Sequence, residues 1–371
     1  VVKVGITGSE GLIGWHLRSF LHGRDDVEII AANRDTFSSM GKLIQFVLSC
    51  DVIVHLAGMN RGDEQVLFST NVGLVESLIQ ACESVNCRPH IIFSSSLHAF
   101  NENVYGQSKK KCSELFAKWS SCTGAQFTNV ILPHVFGECG KPFYNSVVST
   151  FCFQLANGQN PNIVNDTNLE LIHAQQVASH FWELINGQII GQVRLKGISV
   201  SVKELLTKIS EFDNSYKNGR IPNLSTTLDR ELFNTYRSYL YPQYYPDIEK
   251  FYNGDKAYLI EFVKRQKRGQ AVSFEVEAGT FLGDYYHYTK IQRLYILQGQ
   301  AIIQSRKLFS NDIIEFVVSE NQLQYIDIPT LSAYRITNIG TEKLVIAFWI
   351  YDDLEPFISD TFNEDVRGDC N

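Results

Sequence analysis

Long apolar runs are missing from this 371-residue chain. No uninterrupted stretch approaches the ~20 residues of a membrane-spanning helix. Paired cysteine motifs are missing too. Cys50, Cys82, Cys87, Cys112, Cys122, Cys139, Cys152 and Cys370 include no C-x-x-C, and most sit in apolar or helical contexts. They read as buried, reduced thiols of a cytosolic protein. Histidine is scarce in the second half: of nine, only His287 lies there. A metal site built mainly from histidine is therefore excluded in that half. Positive charge is in deficit, with 33 Lys and Arg against 40 Asp and Glu and a net charge of −7. That argues against bulk nucleic-acid binding or an anionic membrane surface, while leaving room for a local phosphate site. The chain opens at Val1 directly on a strand-like run, with no signal peptide in view, and reads as cytoplasmic.

What is present is a core-forming composition. Hydrophobic residues make up 44% and charged residues 20%, which excludes disorder for most of the length. The length suits about two domains at ~100–200 residues each. Val2, Val4 and Ile6 alternate into Thr7-Gly8, and a helical spacing follows (Leu12, Ile13, Leu17, Phe20, Leu21). Further strands are predicted at Val27–Ala32, Asp51–Ala57, Pro89–Ser94 and Thr128–Leu132. Helices are predicted around Met40–Leu48, Glu64–Val85 and Ser108–Ser120 between them. This alternation predicts an α/β fold with a Rossmann-type, doubly wound parallel sheet. Residues 205–245 read as helical and polar.

After Lys256 the pattern changes. Short strands are predicted at Tyr258–Val263, Ala271–Glu277, Arg293–Leu297, Ala301–Gln304, Asp312–Val318, Leu323–Ile328, Ala333–Ile336 and Leu344–Trp349, separated by glycine turns. That is an all-β barrel or jelly roll. The expected boundary separates 1–247 from 248–371. Tyr236, Tyr239, Tyr241, Tyr244, Tyr245 and Tyr252 cluster beside it. They are either a contact between halves or between copies, or ordinary core aromatics. The tail after Asp365 is expected to fray.

Gly8-Ser9-Glu10-Gly11-Leu12-Ile13-Gly14 joins the first strand to the first helix. Gly8 permits the tight turn, Gly11 lets backbone approach a pyrophosphate, and Gly14 lets helix and strand pack closely. The phosphates would meet the free N–H groups of the helix start, at Leu12 and Ile13. The second strand ends in Asn33-Arg34-Asp35. A guanidinium where NAD-preferring sites place a carboxylate suits a 2′-phosphate, so NADPH is favoured over NADH.

Phe93-Ser94-Ser95-Ser96 ends a strand, and Tyr105-Gly106-Gln107-Ser108-Lys109 begins the next helix. The Y-x-x-x-K spacing puts Tyr105 and Lys109 on one helical face. A nearby ammonium would lower the Tyr105 pKa, so that Tyr105 exchanges a proton near neutral pH. Ser96 could hydrogen-bond the same substrate oxygen. Together they suit hydride transfer to or from a carbonyl carbon.

Residues 1–245 resemble the extended short-chain dehydrogenase/reductases. The resemblance is carried by Gly8, Gly11, Gly14, His55-Leu56-Ala57-Gly58, Asn71-Val72, Ser94-Ser95-Ser96, Tyr105 and Lys109. Asn60-Arg61, the run Gly137–Ser146 and Val164-Asn165-Asp166 resemble members that act in capsular-polysaccharide synthesis and carry a C-terminal cupin. The resemblance implies a reductase of a UDP-linked 4-keto-6-deoxy-N-acetylhexosamine, using NADPH. It implies that Tyr105 protonates the substrate, Lys109 binds the nicotinamide ribose and tunes Tyr105, and Ser96 (or else Ser95) aligns the carbonyl. Leu56, Ala57, Gly58 and Asn71 fall in the cofactor site. Asn60, Arg61, His98, Lys141 and Asn145 are candidate substrate contacts. Two departures concern the pocket: Ile131 stands where an Arg is common, and Gln175-Gln176 replaces an acidic pair.

In the related cupins, histidines and a glutamate hold zinc. Here Tyr285 replaces the first histidine, His287 is retained, Gln292 replaces the glutamate and Tyr334 replaces the last histidine. One imidazole, two phenols and an amide make a poor divalent site, so no tightly bound metal is expected. Tyr285, His287, Lys290, Gln292 and Tyr334 remain as a candidate pocket. It is either a metal-free epimerase site or part of a dimerisation or binding module, with a homodimer as the family-like expectation. The rival readings are a nucleotide-sugar epimerase or dehydratase with tightly held NAD, and a non-catalytic nucleotide-binding scaffold.

Overall fold

Alternation along the first strands builds a sheet buried on both faces. In the computed structural model, β1 (Val2–Thr7), β2 (Val27–Ala32), β3 (Val52–His55), β4 (His90–Ser96), β5 (Phe127–Leu132) and β8 (Gly191–Arg194) form one six-stranded sheet. Its order is β2-β1-β3-β4-β5-β8 and every pair is parallel. Val52, Val54 and Ile92 point to one face, where they pack with Leu17 and Leu21 of α1 (Leu12–His22) and Phe181 and Ile185 of α6 (Ala174–Gly187). Ile53, Ile91 and Phe93 point to the other. They meet α2 (Met40–Leu48), α3 (Glu64–Ser84) and α4 (Val104–Thr123) through Phe46, Leu78 and Phe116. Helices on both faces are what parallel strands require. The chain runs outward from β1 to β2, then crosses back to β3 on the other side of β1. That reversal opens a crevice at the carboxyl ends of the strands. A small sheet of β6 (His134–Phe136), β7 (Asn168–His173) and β9 (Ile198–Ser201) stands beside it, with α5 (Val147–Ala156) between β6 and β7 in the chain.

The structure describes residues 1–100, 103–245, 247–248, 252–254, 257–259, 269–321, 324–351 and 360–368. Of the expected features, 260–263 of one strand, the strand residue Leu323, the last tail residues and Cys370 lie outside them. Among the described residues no helix is long and apolar enough to cross a membrane.

The packing divides the chain into two units: Val1–Thr150 with Ile163–Val202, and Phe151–Asn162 with Lys203–Asn371. This differs from the expected boundary at 247/248. Residues 203–247 pack with the β-rich half, as helices α7 (Val202–Lys217) and α8 (Thr227–Arg237). The reason is chemical. Arg293, fully buried, grips Asp327 with Nε and Nη2 at 2.8 and 2.9 Å, and its Nη1 donates to Gly219 O after α7. Tyr216 of α7 donates to the same Asp327 carboxylate, and Arg237 of α8 donates to Ile328 O at 2.8 Å. Burying an ion pair is tolerated only with such a filled hydrogen-bond shell. Tyr236 and Tyr245 are buried inside this unit, so these two are core aromatics.

The β-rich unit begins with the short strands β10 (Asp247–Ile248), β11 (Tyr252–Gly254) and β12 (Ala257–Leu259). Its body is β13 (Gln270–Val276), β14 (Phe281–Tyr286), β15 (Ile291–Gln298), β16 (Gln300–Lys307), β17 (Ile313–Ser319), β18 (Gln324–Ile328), β19 (Ser332–Asn338), β20 (Leu344–Tyr351) and β21 (Phe362–Asn363). Two five-stranded sheets form, β10-β18-β15-β20-β13 and β17-β16-β19-β14-β21, with every pair antiparallel. Leu294, Ile326, Ile346 and Phe348 of the first pack with Ala301, Ile303, Tyr334 and Ile336 of the second in one apolar core. This is the expected all-β second half. The β14 strand carries the Tyr285 motif and escapes the strand pattern, because Gly283, Asp284 and a register shift interrupt its alternation. The tail does not fray at once after Asp365. Val366 is fully buried, and its carbonyl accepts from Arg306 Nε at 2.8 Å.

Candidate active site

The turn after β1 is shaped for a close backbone approach. Gly8 lies at φ +69°, and a Cβ on Gly14 would stand 2.2 Å from Gly8 O. Gly11 caps α1 and brings no side chain to the helix start. The first N–H groups of α1 are therefore left to a ligand, and an anion is the ligand a helix start favours. Thr7 ties this turn to the next strand, accepting from Leu56 N and Ala57 N at 3.1 Å each. A dinucleotide fits this cradle, with Leu12, Ile13, Leu56, Ala57 and Gly58 along its edges.

At the end of β2 the Asn33 side chain accepts from Asp35 N and Thr36 N, closing a local turn. Asp35 is exposed and salt-bridged to Lys42 at 2.6 Å. The Lys42 hydrogen bond and charge hold its carboxyl below the usual range. Arg34 stands exposed between them.

Asn71 is 3% exposed. Its amide accepts from Met59 N and donates to Met59 O and Ser108 Oγ at 2.6, 2.9 and 3.0 Å. It ties the turn after β3 to α4, spending most of its hydrogen-bonding capacity on protein.

Lys109 is buried, and its ammonium donates to Ser94 O at 2.8 Å. It lies 4.8 Å above the Phe93 ring and 5.9 Å from the Tyr105 ring. Burial lowers its pKa to about 8, which still leaves a cation at neutral pH. Burial, then the Lys109 charge, hold His55 neutral, at about 3. The expected lowering of Tyr105 is not found. Burial, followed by Tyr144 and Cys112, raises it to about 12, because desolvation disfavours phenolate. Tyr105 is thus a neutral phenol, with its proton to give. Ser96 is half-buried at the end of β4 and accepts from His98 N at 3.2 Å; Ser95 is buried. His98 reaches Tyr105 (ring centroids 6.1 Å apart) and His134 (5.5 Å).

The candidate substrate residues divide. Arg61 donates to Phe143 O at 2.9 Å, joining the turn after β3 to the loop that carries exposed Lys141 and Asn145. Lys141 lies over the Tyr144 ring at 5.2 Å. Asn60 Oδ1 is buried with no hydrogen-bond partner.

Sequence reasoning missed a buried cluster behind that loop. Glu138 lies 3.0 Å from His173 Nε2 and 3.7 Å from His16 Nε2. Burial alone would raise the Glu138 carboxyl; His173, then His16, outweigh it and hold it at about 2. The three come from distant segments, so no local motif announces them.

In the β-rich unit Tyr285, His287, Gln292 and Tyr334 do converge. Tyr285 pairs with Tyr334 across β14 and β19, their rings 5.0 Å apart. His287 lies 5.6 Å from Tyr285 and 6.1 Å from Tyr334, and Tyr334 OH donates to Gln292 Oε1 at 2.9 Å. Lys290 instead reaches Thr361 Oγ1 at 3.1 Å. Burial raises the pKa of both phenols, so they stay neutral. One imidazole with neutral oxygens does not fit a divalent cation. Among the described residues no group of three His, Cys, Asp or Glu could hold one.

The glycine turn on a doubly wound sheet, with the buried Lys109 ammonium 5.9 Å from the Tyr105 ring on α4, is the arrangement of a dinucleotide-dependent oxidoreductase or epimerase class. The NAD dependent epimerase/dehydratase family matches residues 4–189, half of the chain, and the chain belongs to that family. The polysaccharide biosynthesis C-terminal domain matches residues 253–362. Among individual relatives, the UDP-2-acetamido-2,6-beta-L-arabino-hexul-4-ose reductase of Pseudomonas aeruginosa is 27% identical, over 97% of this chain and 98% of its own. The capsular polysaccharide assembling protein CapF of Staphylococcus aureus aligns with a TM-score of 0.64 and 26% identity, over 98% of this chain and 100% of its own. The UDP-N-acetylglucosamine 4-epimerase of Methanobrevibacter ruminantium shares the fold at a TM-score of 0.55 and 18% identity, over 64% of this chain and 98% of its own.

Proposed function

We propose that this protein reduces a nucleotide-linked 4-keto-6-deoxy-hexose, of the UDP-N-acetylhexosamine type, in cytoplasmic synthesis of a surface-polysaccharide precursor. The observation that carries the reading is the buried Lys109 ammonium, fixed on Ser94 O beside a neutral Tyr105. Full-length similarity to a hexulose reductase and to CapF supports the substrate class.

NADPH is the reductant in this reading. Arg34 stands exposed at the end of β2, and Asp35 is drawn off by Lys42. Such a cofactor would supply hydride to the carbonyl carbon. Tyr105 gives its proton to the carbonyl oxygen. Ser96 hydrogen-bonds that oxygen and aligns it. Lys109 holds the nicotinamide ribose and stabilises phenolate once the Tyr105 proton has left. Lys141, Asn145, Asn60, Arg61 and His98 contact the nucleotide sugar.

The β-rich half works without metal in this reading, either as an epimerase or as a dimerisation and binding module of a homodimer. The test is a panel of UDP- and dTDP-4-keto-6-deoxy sugars with NADPH, followed at the nicotinamide absorbance and by product NMR. Net oxidation of exchangeable NADPH is expected with a UDP-linked N-acetyl sugar. Tightly retained NAD with no net turnover would instead favour an epimerase or dehydratase. No turnover with any sugar would favour a scaffold.

A further inference from the structure

Asp360 stands against the loop between β14 and β15. The Asp360 carboxylate accepts from Tyr288 N at 2.7 Å, Thr289 N at 3.0 Å, Thr289 Oγ1 at 3.1 Å and Lys290 N at 2.8 Å. The main-chain carbonyl of the same residue accepts from His287 Nδ1. A carbonyl has no proton to offer, so the ring proton sits on Nδ1 and Nε2 carries a bare lone pair. His287 is 4% exposed, and its Nε2 is buried with no hydrogen-bond partner. Gln292 lies near enough to bear on its titration but makes no well-aligned bond to Nε2. The rings of Tyr285, which is half-buried, and Tyr334 stand beside the imidazole ring, both phenols neutral.

We propose that Asp360 is a positioning residue that holds His287 as the Nδ1–H tautomer, and that the bare Nε2 accepts a hydroxyl of an uncharged sugar ring. The inference rests on the reading of the β-rich half as a sugar-handling module and names what that half recognises. A divalent cation would find one nitrogen and only neutral oxygens. An anion would meet a lone pair. A hydroxyl supplies the missing donor, and phenols beside it can serve the neighbouring hydroxyls of a ring. The charged groups that bear on the imidazole are Lys290 in the same loop and Asp360.

The experiment uses the full chain with 15N-labelled histidine, recording both ring nitrogens, with His287→Gln to assign the signals. The wild type is expected to show Nδ1–H and bare Nε2, and to stay neutral until about pH 4, where burial has lowered its titration. Asp360→Ala keeps the main-chain carbonyl but loses the carboxylate that anchors it, so the tautomers are expected to mix, and loss of the Asp360 charge, which raises the His287 titration, should move that titration down. Asp360→Asn keeps one side-chain oxygen to anchor the loop, so its tautomer mixture should fall between. UDP-N-acetylglucosamine is the probe ligand, and should shift the Nε2 signal as a hydrogen-bonded acceptor shifts. An Nε2–H wild type, an Asp360→Ala spectrum like the wild type, or a probe that leaves Nε2 unmoved at millimolar concentration would overturn the proposal. If Asp360→Ala does not fold, the wild-type tautomer and Asp360→Asn still decide. Keto-sugar-dependent NADPH oxidation is read separately on the same sample, so failure of the reductase reading is distinguishable.

Discussion

Each half of the molecule buries a nitrogen base against a main-chain carbonyl, with opposite results. Lys109 donates to Ser94 O and His287 donates to Asp360 O. An ammonium has three protons, so one spent on Ser94 leaves two to direct at Tyr105 and at a ribose. A neutral imidazole has one, so spending it on Asp360 leaves only a lone pair. The same anchor makes a donor site in the parallel sheet and an acceptor site between the antiparallel sheets. Burial lowers both groups, to about 8 and about 4, and each remains on the protonation side its role needs at pH 7.

The comparison breaks most sharply at Tyr105. Tyr105→Phe should lower keto-sugar reduction by ~10²–10⁴-fold, the usual worth of a positioned acid. NADPH binding, read by fluorescence titration, should persist. If turnover survives, the proton comes from elsewhere and the donor site is misassigned. Next in size is the ion pair that fastens α7 to the β-rich unit. Arg293→Met should cost about 3–5 kcal/mol in urea unfolding, because Asp327 is left charged and unpaired in the interior. Adding Asp327→Leu should recover much of the loss. A single substitution with no cost would mean that the pair does not organise this unit.

How legible these two sites were follows from how local they are. Gly8, Gly11 and Gly14 lie within one strand–turn–helix, and Tyr105 with Lys109 within one helical turn, so the fold of the first half and the approach of Lys109 to Tyr105 could be read from spacing. Their titration could not: Tyr105 was expected to be lowered, yet burial, followed by Tyr144 and Cys112, raises it. The β-rich motif was legible as a set of replaced positions, Tyr285, Gln292 and Tyr334 around His287. Asp360 was not, because it meets His287 from 73 residues away along the chain. Glu138 was hidden likewise: His16 lies 122 residues before it, and His173 in a third segment. The packing of 203–247 with the β-rich unit also escaped, since a polar helical pattern does not say which sheet it covers.

The ammonium itself can be titrated. The Lys109 pKa in the fold lies below its ordinary value of 10.5, so the folded chain binds fewer protons between about pH 8 and 10.5. Stability linked to this group therefore rises with pH across that window. Activity should do the reverse. In kcat/KM, which reports the free enzyme, a limb should fall as pH rises through about 8, tenfold for each further unit. Lys109→Met should remove the limb together with most of the activity. A flat profile to pH 9.5 would mean that the buried group is not the cation the donor site needs.

The smallest effect tests which cofactor the first half was built for. Arg34 is exposed, so its contribution is screened and modest. A charge-assisted contact to a 2′-phosphate is worth about 1.5–3 kcal/mol when well formed, and an exposed one falls at or below the low end. Arg34→Ala should therefore raise KM for NADPH by about tenfold at low salt and leave NADH little changed. The loss should shrink as ionic strength rises, because salt weakens the wild-type contact. Equal losses for both nucleotides would assign Arg34 to the shared part of the cofactor, and the preference for NADPH would then need another donor at the end of β2.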